Sequence, residues 1–393
     1  MAPTVPASSQ WARVLNSYTT TWESELPQLL FFLRGDRKSQ APIIEIDDEG
    51  GRPGLEQEFL FMRLTDNNPV PKSRNEPVIG VERSAPEPLK FRILCEYCSP
   101  YDFYLTHGTG DQQRTERNLE DEQWKNANDS TAVWMERSFY RQLAGDTRYN
   151  SGTTFTGLSH YPDHKMSGMN QVTHYDTRHI GFADSGSGTP LTTTAAVAAD
   201  SSAILSDVGV ARFIAKLTTK RFGVKWPLTK MNLAAFGSGF LCVTTQEGIN
   251  QIKFSDPDSK FEKIDLAEMA GGMGFDNSAL SKTTAIKSVN DVIYVAAEWL
   301  PLAADGVAAN ATTPATGIVA NCQPNIILGS HAALLWWMKG YENGNHVDYT
   351  SDMEHERESI KYHTGLGFKR LHIDGESFGS AIYHSYTEAT TEA

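Results

Sequence analysis

Along this chain the spacing of apolar residues changes twice, dividing it into a β-rich arm, a long polar-faced helix and a mixed region. The helix is the clearest element. Trp124, Ala127, Thr131, Trp134 and Ser138 recur at steps of three and four, which draws one stripe on a helix running from Arg114 to Gly145. Arg, Glu, Asp and Asn fill its other faces, and Gly145 is a good left-handed stop. About 31 helical residues at roughly 1.5 Å each span about 46 Å. Two tryptophans on one stripe read as core packing rather than as a ligand box.

Before the helix the pattern is that of strands. Glu58–Leu64 is one candidate and Leu89–Tyr97 a second, and the segment between them contains Pro69, Pro71, Pro77, Pro86 and Pro88. So long a connection without a core of its own is usually functional, and its prolines would keep it extended. The whole reads as a long two-stranded flap. Residues 1 to about 57 read as an extended arm that Trp11 and Trp22 could anchor, with one short helix over Ser24–Leu33 and a loop over Asp47–Gly54.

After the helix, Thr147–Asp200 is rich in Gly, Ser, Thr and His and reads as loop and short strand. Ser206-Asp207 can cap a helix through Val208, Ala211, Ile214 and Ala215 that closes at Gly223. Strands are expected at Met231–Ala235, Gly239–Thr245 and Val292–Ala297, with a helix over Glu247–Lys253. Ala303–Pro314 reads as an exposed loop, and Asn325–Leu328 as a short strand feeding a helix over Ser330–Lys339. Strands return at Phe368–Ile373 and Ser380–Tyr386, and the last seven residues read as a loose tail. No internal repeat is present.

Size and charge narrow the function classes. With 393 residues, two or three domains and a sizeable core are expected, and 40% hydrophobic residues exclude disorder. The formal charge of -13 argues against a dedicated nucleic-acid binder, which needs clustered Lys and Arg. It does not exclude a wall that encloses nucleic acid without gripping it. No segment approaches the roughly 20 apolar residues that span a bilayer, and residues Met1–Gln10 lack the basic start and apolar middle of a secretory signal. The expected setting is a cytoplasm, or export as part of a larger object.

Candidate chemistry is sparse. Cys95 and Cys98 form a Cys-x-x-Cys within the second strand, while Cys242 and Cys322 stand alone. A structural zinc site usually needs two such pairs or added His at fixed spacing, so reduced, partly buried thiols are the preferred reading. The enzyme-like signal is the cluster His160, His164, His174 and His179 with Asp163, Asp176 and Asp184, whose intervals match no ligand motif. Gly271-Gly272-Met273-Gly274 lacks the Lys-Ser/Thr of a phosphate loop, and Ser185-Gly186-Ser187-Gly188 follows no apolar strand. No Gly-x-Ser-x-Gly elbow occurs. The acidic run Asp348, Asp352, Glu354, His355, Glu356 and Glu358 reads as a polar loop.

The order of parts carries a resemblance. The flap returns through Val78–Glu82 to Pro88–Phe91. Gln113-Arg114-Thr115 leads to Trp134–Arg137 and Phe139–Gly145. Late in the chain Ile327–Ala333 opens a helix, and Glu358-Ser359-Ile360 through Gly365–Arg370 precedes Phe378-Gly379. With these residues the chain resembles the major capsid proteins of tailed bacteriophages, the Hong Kong 97-type fold, and more narrowly the capsid family of the N-four-like podoviruses. The likeness covers roughly residues 10 to 387 and is weakest between Thr147 and Asp200.

That resemblance implies an α+β fold and a division into 1–57 as N-terminal arm, 58–112 as extended loop and entry to a peripheral domain, 113–200 as spine helix and variable loops, 201–328 as mostly axial domain, and 329–393 as the return to the peripheral domain. It implies a structural protein with no catalytic residue, no cofactor and no metal. Copies would assemble as pentamers and hexamers in a shell, in the virion, built in the host cytoplasm. Partners would be a separate scaffolding protein, a portal and decoration proteins, with DNA enclosed and no membrane bound. Contacts between subunits would involve Trp11 and Trp22 of the arm and Arg74, Glu76, Glu82 and Arg83 of the flap. Two other readings are weighed beside it: a tail or decoration protein, and a metal-dependent hydrolase built on His160, His164 and His174.

Overall fold

In a computed structural model of the chain, the described residues are 33–35, 39–46, 56–61, 87–92, 95–104, 139–140, 143–144, 179–219, 224, 226–233, 237–255, 262–264, 285–297, 300–303, 318–337, 346–352, 357–373 and 376–390. The first strands are β1 (Arg34–Gly35), β2 (Ile43–Ile46), β3 (Glu56–Phe61), β4 (Glu87–Arg92), β5 (Cys95–Tyr104) and β6 (Ile180–Phe182). Next come helices α1 (Thr194–Ala199) and α2 (Asp207–Thr218), strands β7 (Met231–Leu233) and β8 (Gly237–Thr244), and helix α3 (Gln246–Ser255). The remainder is β9 (Glu262–Ile264), β10 (Ala285–Lys287), β11 (Val292–Ala296), β12 (Cys322–Leu328), β13 (Ala333–Trp337), β14 (His346–Asp352), β15 (Arg357–Arg370), β16 (His372–Ile373), β17 (Glu376–Ser377) and β18 (Ser380–Tyr386).

Most of the core is built on a mixed sheet ordered β6-β18-β12-β8-β11-β10-β9, with β7 on β8. Phe240 and Cys242 of β8, Val292 and Tyr294 of β11 and Tyr383 of β18 share one core with Val197 of α1, Val210, Phe213, Ile214 and Leu217 of α2, and Ile249 and Ile252 of α3. The alternate residues Leu241, Val243, Ile293, Val295 and Ile326 are buried as well. Strands covered on both faces read as unbroken apolar runs, which is why these were legible as strands but not as members of a particular face.

Local chemistry fixes the helices over this sheet. Ser206 caps α2, its hydroxyl accepting from Gly209 N at 3.1 Å. Gly209 also lets the helix approach β18, since a Cβ there would come within 2.5 Å of the Tyr383 hydroxyl. The helix ends at Thr218, with Val210, Phe213, Ile214 and Leu217 turned inward and Val208 and Ala215 exposed. It therefore stops short of the expected Gly223, which lies outside the described residues. Thr193 caps α1 in the same manner, accepting from Ala196 N at 3.0 Å.

A second sheet is ordered β1-β2-β13-β15-β14, with β5 also on β15. Its long strand β15 pairs antiparallel with β14, β5 and β13 in turn. Strands β3 and β4 form a separate antiparallel ladder from Glu56↔Arg92 to Phe61↔Glu87, a strand pair as expected of the flap. The second strand does not run from Leu89 to Tyr97, however: β4 ends at Arg92, and Cys95–Tyr104 is β5 on β15. The two large sheets meet where β12 turns into β13. There Gly329 N bonds Gly379 O, Ser330 N bonds Thr229 O, and His331 N bonds Ala41 O. His331 sits at φ 61 and Gly379 at φ 74. A Cβ on Gly379 would collide with the Ser330 carbonyl, so this seam requires glycine there.

Several expectations are corrected. Ser330–Lys339 is not a helix: Ala333–Trp337 is strand β13, held between β2 and β15. An apolar run this short suits a buried strand as well as a helix, and here two neighbouring strands satisfy its backbone. Asp348 and Asp352 lie on β14 and Glu358 on β15, so the acidic run flanks an antiparallel pair rather than forming one polar loop. Ala303, read as the start of an exposed loop, is buried and donates to Cys322 O. The tail is not loose up to residue 390, because Thr387 is buried and Ala389 O accepts from Asn321 N at 2.8 Å. Of the long helix, Phe139, Tyr140 and Leu143 are helical and buried, and Ala144 N bonds Tyr140 O at 2.8 Å. Its remaining residues lie outside the described ones, as do those of Ser24–Leu33 other than the buried Leu33.

Candidate functional site

The residues expected at contacts between subunits, Trp11, Trp22, Arg74, Glu76, Glu82 and Arg83, lie outside the described residues, as do His160, His164, His174, Asp163 and Asp176. His179 is buried where the chain enters β6. Asp184 lies beyond that strand and carries an ion pair of 3.7 Å with the exposed Arg212 of α2. Among the described residues no group of three or more His, Cys, Asp or Glu side chains is placed to hold a metal ion. The Ser185–Gly188 segment is a hairpin tip: Ser185 N bonds Thr189 O at 2.8 Å, and Gly188 N bonds Ser185 O at 2.7 Å. Its glycines serve a turn rather than a phosphate.

Buried ionisable groups on the first sheet are tied into packing. Asp207, at the first turn of α2, accepts from the Tyr294 hydroxyl at 2.7 Å and from Asn290 Nδ2 at 2.6 Å. It thereby pins the start of the helix to β11 and to the β10–β11 turn. Burial, then the charges of its neighbours, pushes the Tyr294 hydroxyl well above its ordinary pKa. Burial pushes the Cys322 thiol up to about 12, and Cys242 is pushed up by burial and by Asp207. Thiols kept protonated in this way are poor nucleophiles and poor metal ligands. His384 stacks on Phe182 with ring centroids 5.2 Å apart, and burial lowers its pKa to about 4, against a hydrogen bond to Gly181 O. It is therefore neutral near pH 7.

Several interstrand polar groups are tied together in the same way, although the buried Ser380 hydroxyl of β18 has no partner. Thr244 donates to Asn325 Oδ1 at 2.6 Å, and Asn325 Nδ2 donates to Tyr383 O at 2.9 Å and to Ser385 Oγ at 2.8 Å. These bonds stitch β8, β12 and β18 into one body. Glu247 at the start of α3 accepts from Thr387 Oγ1 at 2.5 Å and from Glu388 N at 3.1 Å, strapping the segment after β18 against the helix.

A groove beside α2 lies open to solvent. It has a volume of about 390 Å³ and is lined by Ala211, Ala215, Leu228, Phe240, Lys230 and Val292 among others. Lys230 at its rim pairs with Asp291 at 2.6 Å. Sequence reasoning did not find this groove. The signal was present in the small residues Ala211, Ala215 and Thr218, spaced along one face of the helix beside Ile214, which also lines the groove.

No protein-family model matches the chain, and no curated protein matches it. Solved structures do match. The chain is similar to the capsid of Ralstonia phage GP4, at 12% identity over 92% of each chain with a TM-score of 0.56. It is similar to the capsid of the cyanophage Pam1, at 11% identity over 90% of each chain with a TM-score of 0.51. It is also similar to the head of the Helicobacter pylori bacteriophage KHP40, at 10% identity over 92% of this chain and 90% of that one, again with a TM-score of 0.51. At such identities the likeness is one of fold, and the chain has the α+β fold of these phage capsid and head chains.

Proposed function

We propose that the chain is the major capsid protein of a tailed bacteriophage and builds the icosahedral shell around its double-stranded DNA. One observation carries the reading: the fold likeness to the Ralstonia phage capsid runs over 92% of both chains, so it is not confined to a shared motif. Asp207, Tyr294, Cys242 and His384 of the first sheet are packed into its core, which suits a rigid body.

The finer assignments belong to the same reading. Residues 1–57 are the arm, 58–112 the extended loop and the entry to a peripheral domain, 113–200 the spine helix and variable loops, 201–328 mostly the axial domain, and 329–393 the return. The β3–β4 ladder supports the extended loop. A shell places one sequence in pentamers and hexamers, which asks for a rigid body plus arms that tolerate several surroundings. Arms bearing Trp11 and Trp22, and a flap bearing Arg74, Glu76, Glu82 and Arg83, would lie across neighbours and add many modest contacts into high avidity. A scaffolding protein, a portal and decoration proteins complete the partners, and assembly takes place in the host cytoplasm. A charge of -13 suits a wall that must release its DNA.

Electron microscopy of the protein, expressed alone and together with the genes flanking its own, tests this. Closed icosahedral particles, or rings of five and six, are expected. Uniformly dispersed monomers or dimers under every condition would overturn the reading, and tubes would favour a tail component.

A further inference from the structure

The first sheet has two dissimilar ends. At one end β8 and β11 begin, with Phe240 beside Val292 and Phe240 N bonded to Asp291 O at 2.9 Å. The β10–β11 turn and the groove beside α2 lie here. The surface is apolar: Val289 is 68% exposed and Val208, next to the pinned Asp207, is 44% exposed. The charged groups around it are mainly basic, with Lys230 on the groove and Lys287 at the end of β10 against Asp291, which Lys230 already holds.

The opposite end lies where β8 and β11 finish and β12 starts. In the antiparallel register Leu328 lies opposite Leu241 and Ile326 opposite Val243, which carries Cys322 past the end of β8. Ile318 comes shortly before it and is 47% exposed. The strapped segment after β18 lies beside it, since Asn321 N bonds Ala389 O and Thr387 N bonds Asn321 O. That segment brings the exposed Glu388, with Glu247 behind it.

One end is thus a basic-rimmed apolar hollow and the other an apolar residue beside exposed acid, on the same rigid sheet. The geometry points to a head-to-tail contact between copies of this chain, in which the groove beside α2 receives the Ile318–Glu388 end of the neighbouring copy. The two halves are unlike, so the contact is heterologous and closes into a ring when the rotation between copies permits. A second copy is the fitting occupant because it supplies both the apolar residue and the acid that the lysines face. This inference rests on the shell reading and assigns it a contact.

The test uses Ala215→Cys and Ile318→Cys, both at exposed positions, in the full chain, with a flexible bis-maleimide added to assembled particles or rings. The double variant is expected to give a ladder of dimer, trimer and larger species on a denaturing gel. Co-assembled single variants should give dimers, and each single variant alone should give no more than the unsubstituted protein. A charge exchange sharpens this: Lys230→Glu should lower particle yield about tenfold, and Glu388→Lys in the same chain should restore it. Particles that form without the ladder would overturn the contact and leave the shell reading standing. So would linkage of Ala215→Cys to itself or to a different polypeptide. Absence of any assembly would overturn both.

Discussion

The two large sheets are held together by different means. The sheet carrying α1, α2 and α3 depends on side chains: its strands are buried on both faces, and Asn325, Thr244, Asp207 and Tyr294 tie neighbours together through bonds of 2.6 to 2.9 Å. The other sheet depends on one strand. β15 carries backbone partners on β14, β5 and β13 along its 14 residues, so a single segment organises three neighbours. The first arrangement tolerates little change in side-chain volume or polarity. The second, whose described residues Ile43, Leu334 and Phe368 are buried as well, has in addition one strand that cannot lose its backbone donors.

Three perturbations test this contrast, the strongest first. Ile360 lies between Tyr349 of β14 and Tyr101 of β5. Ile360→Pro removes a ladder donor from a central strand and should destabilise the chain by about 3 kcal/mol or more, whereas Ile360→Thr keeps every backbone donor and should cost less. Urea melts of the two variants check this, and equal midpoints would remove the distinction.

Next in size is acid. The folded pKa of His384 is lowered to about 4 from 6.5, so between these values the unfolded chain binds a proton that the folded chain refuses. Its contribution is therefore intact above pH 6.5 and is lost as pH falls toward 4, by roughly 3 kcal/mol in all. His384→Gln should flatten that part of the stability profile measured from pH 7 to 4. An unchanged slope would show that other groups carry the acid response.

Smallest is Asn325→Ala, which strands the Thr244 hydroxyl and the Tyr383 carbonyl and should cost about 2 kcal/mol. A thermal melt compared with that of Ile360→Thr is the readout. Should the two match, the first sheet would not depend on its polar ties.

The same contrast explains what could be read from the chain. On the first sheet the local signals agree with the final structure: Ser206 caps a helix, and Val292–Ala296 is an apolar run of strand length. On the second they do not. The run from Ala332 to Trp337 carries no period that separates strand from helix, and its pairing with β2 joins residues far apart in sequence. The strap at Thr387 was equally invisible, because its partner Glu247 lies far upstream. The fold class was legible through the order of parts. The groove was not, since it is made by what α2 lacks. Ala211 and Ala215 leave space that only the placement of Phe240 and Leu228 turns into a hollow.

The position of β18 sets a timetable for the nascent chain. It lies between β6 and β12, pairing Ile382 with Ile180 about two hundred residues upstream and with Ile326. Until residues 380–386 have been synthesised, β6 has no neighbour in this sheet and one edge of β12 stays open. Contacts of such high sequence separation form late and slowly, and translation proceeds at roughly 5–20 residues per second. A growing chain would therefore spend tens of seconds without a finished body. On the ribosome this order means that the sheet, and the segment strapped behind β18, are completed only after the last sheet strand has been made.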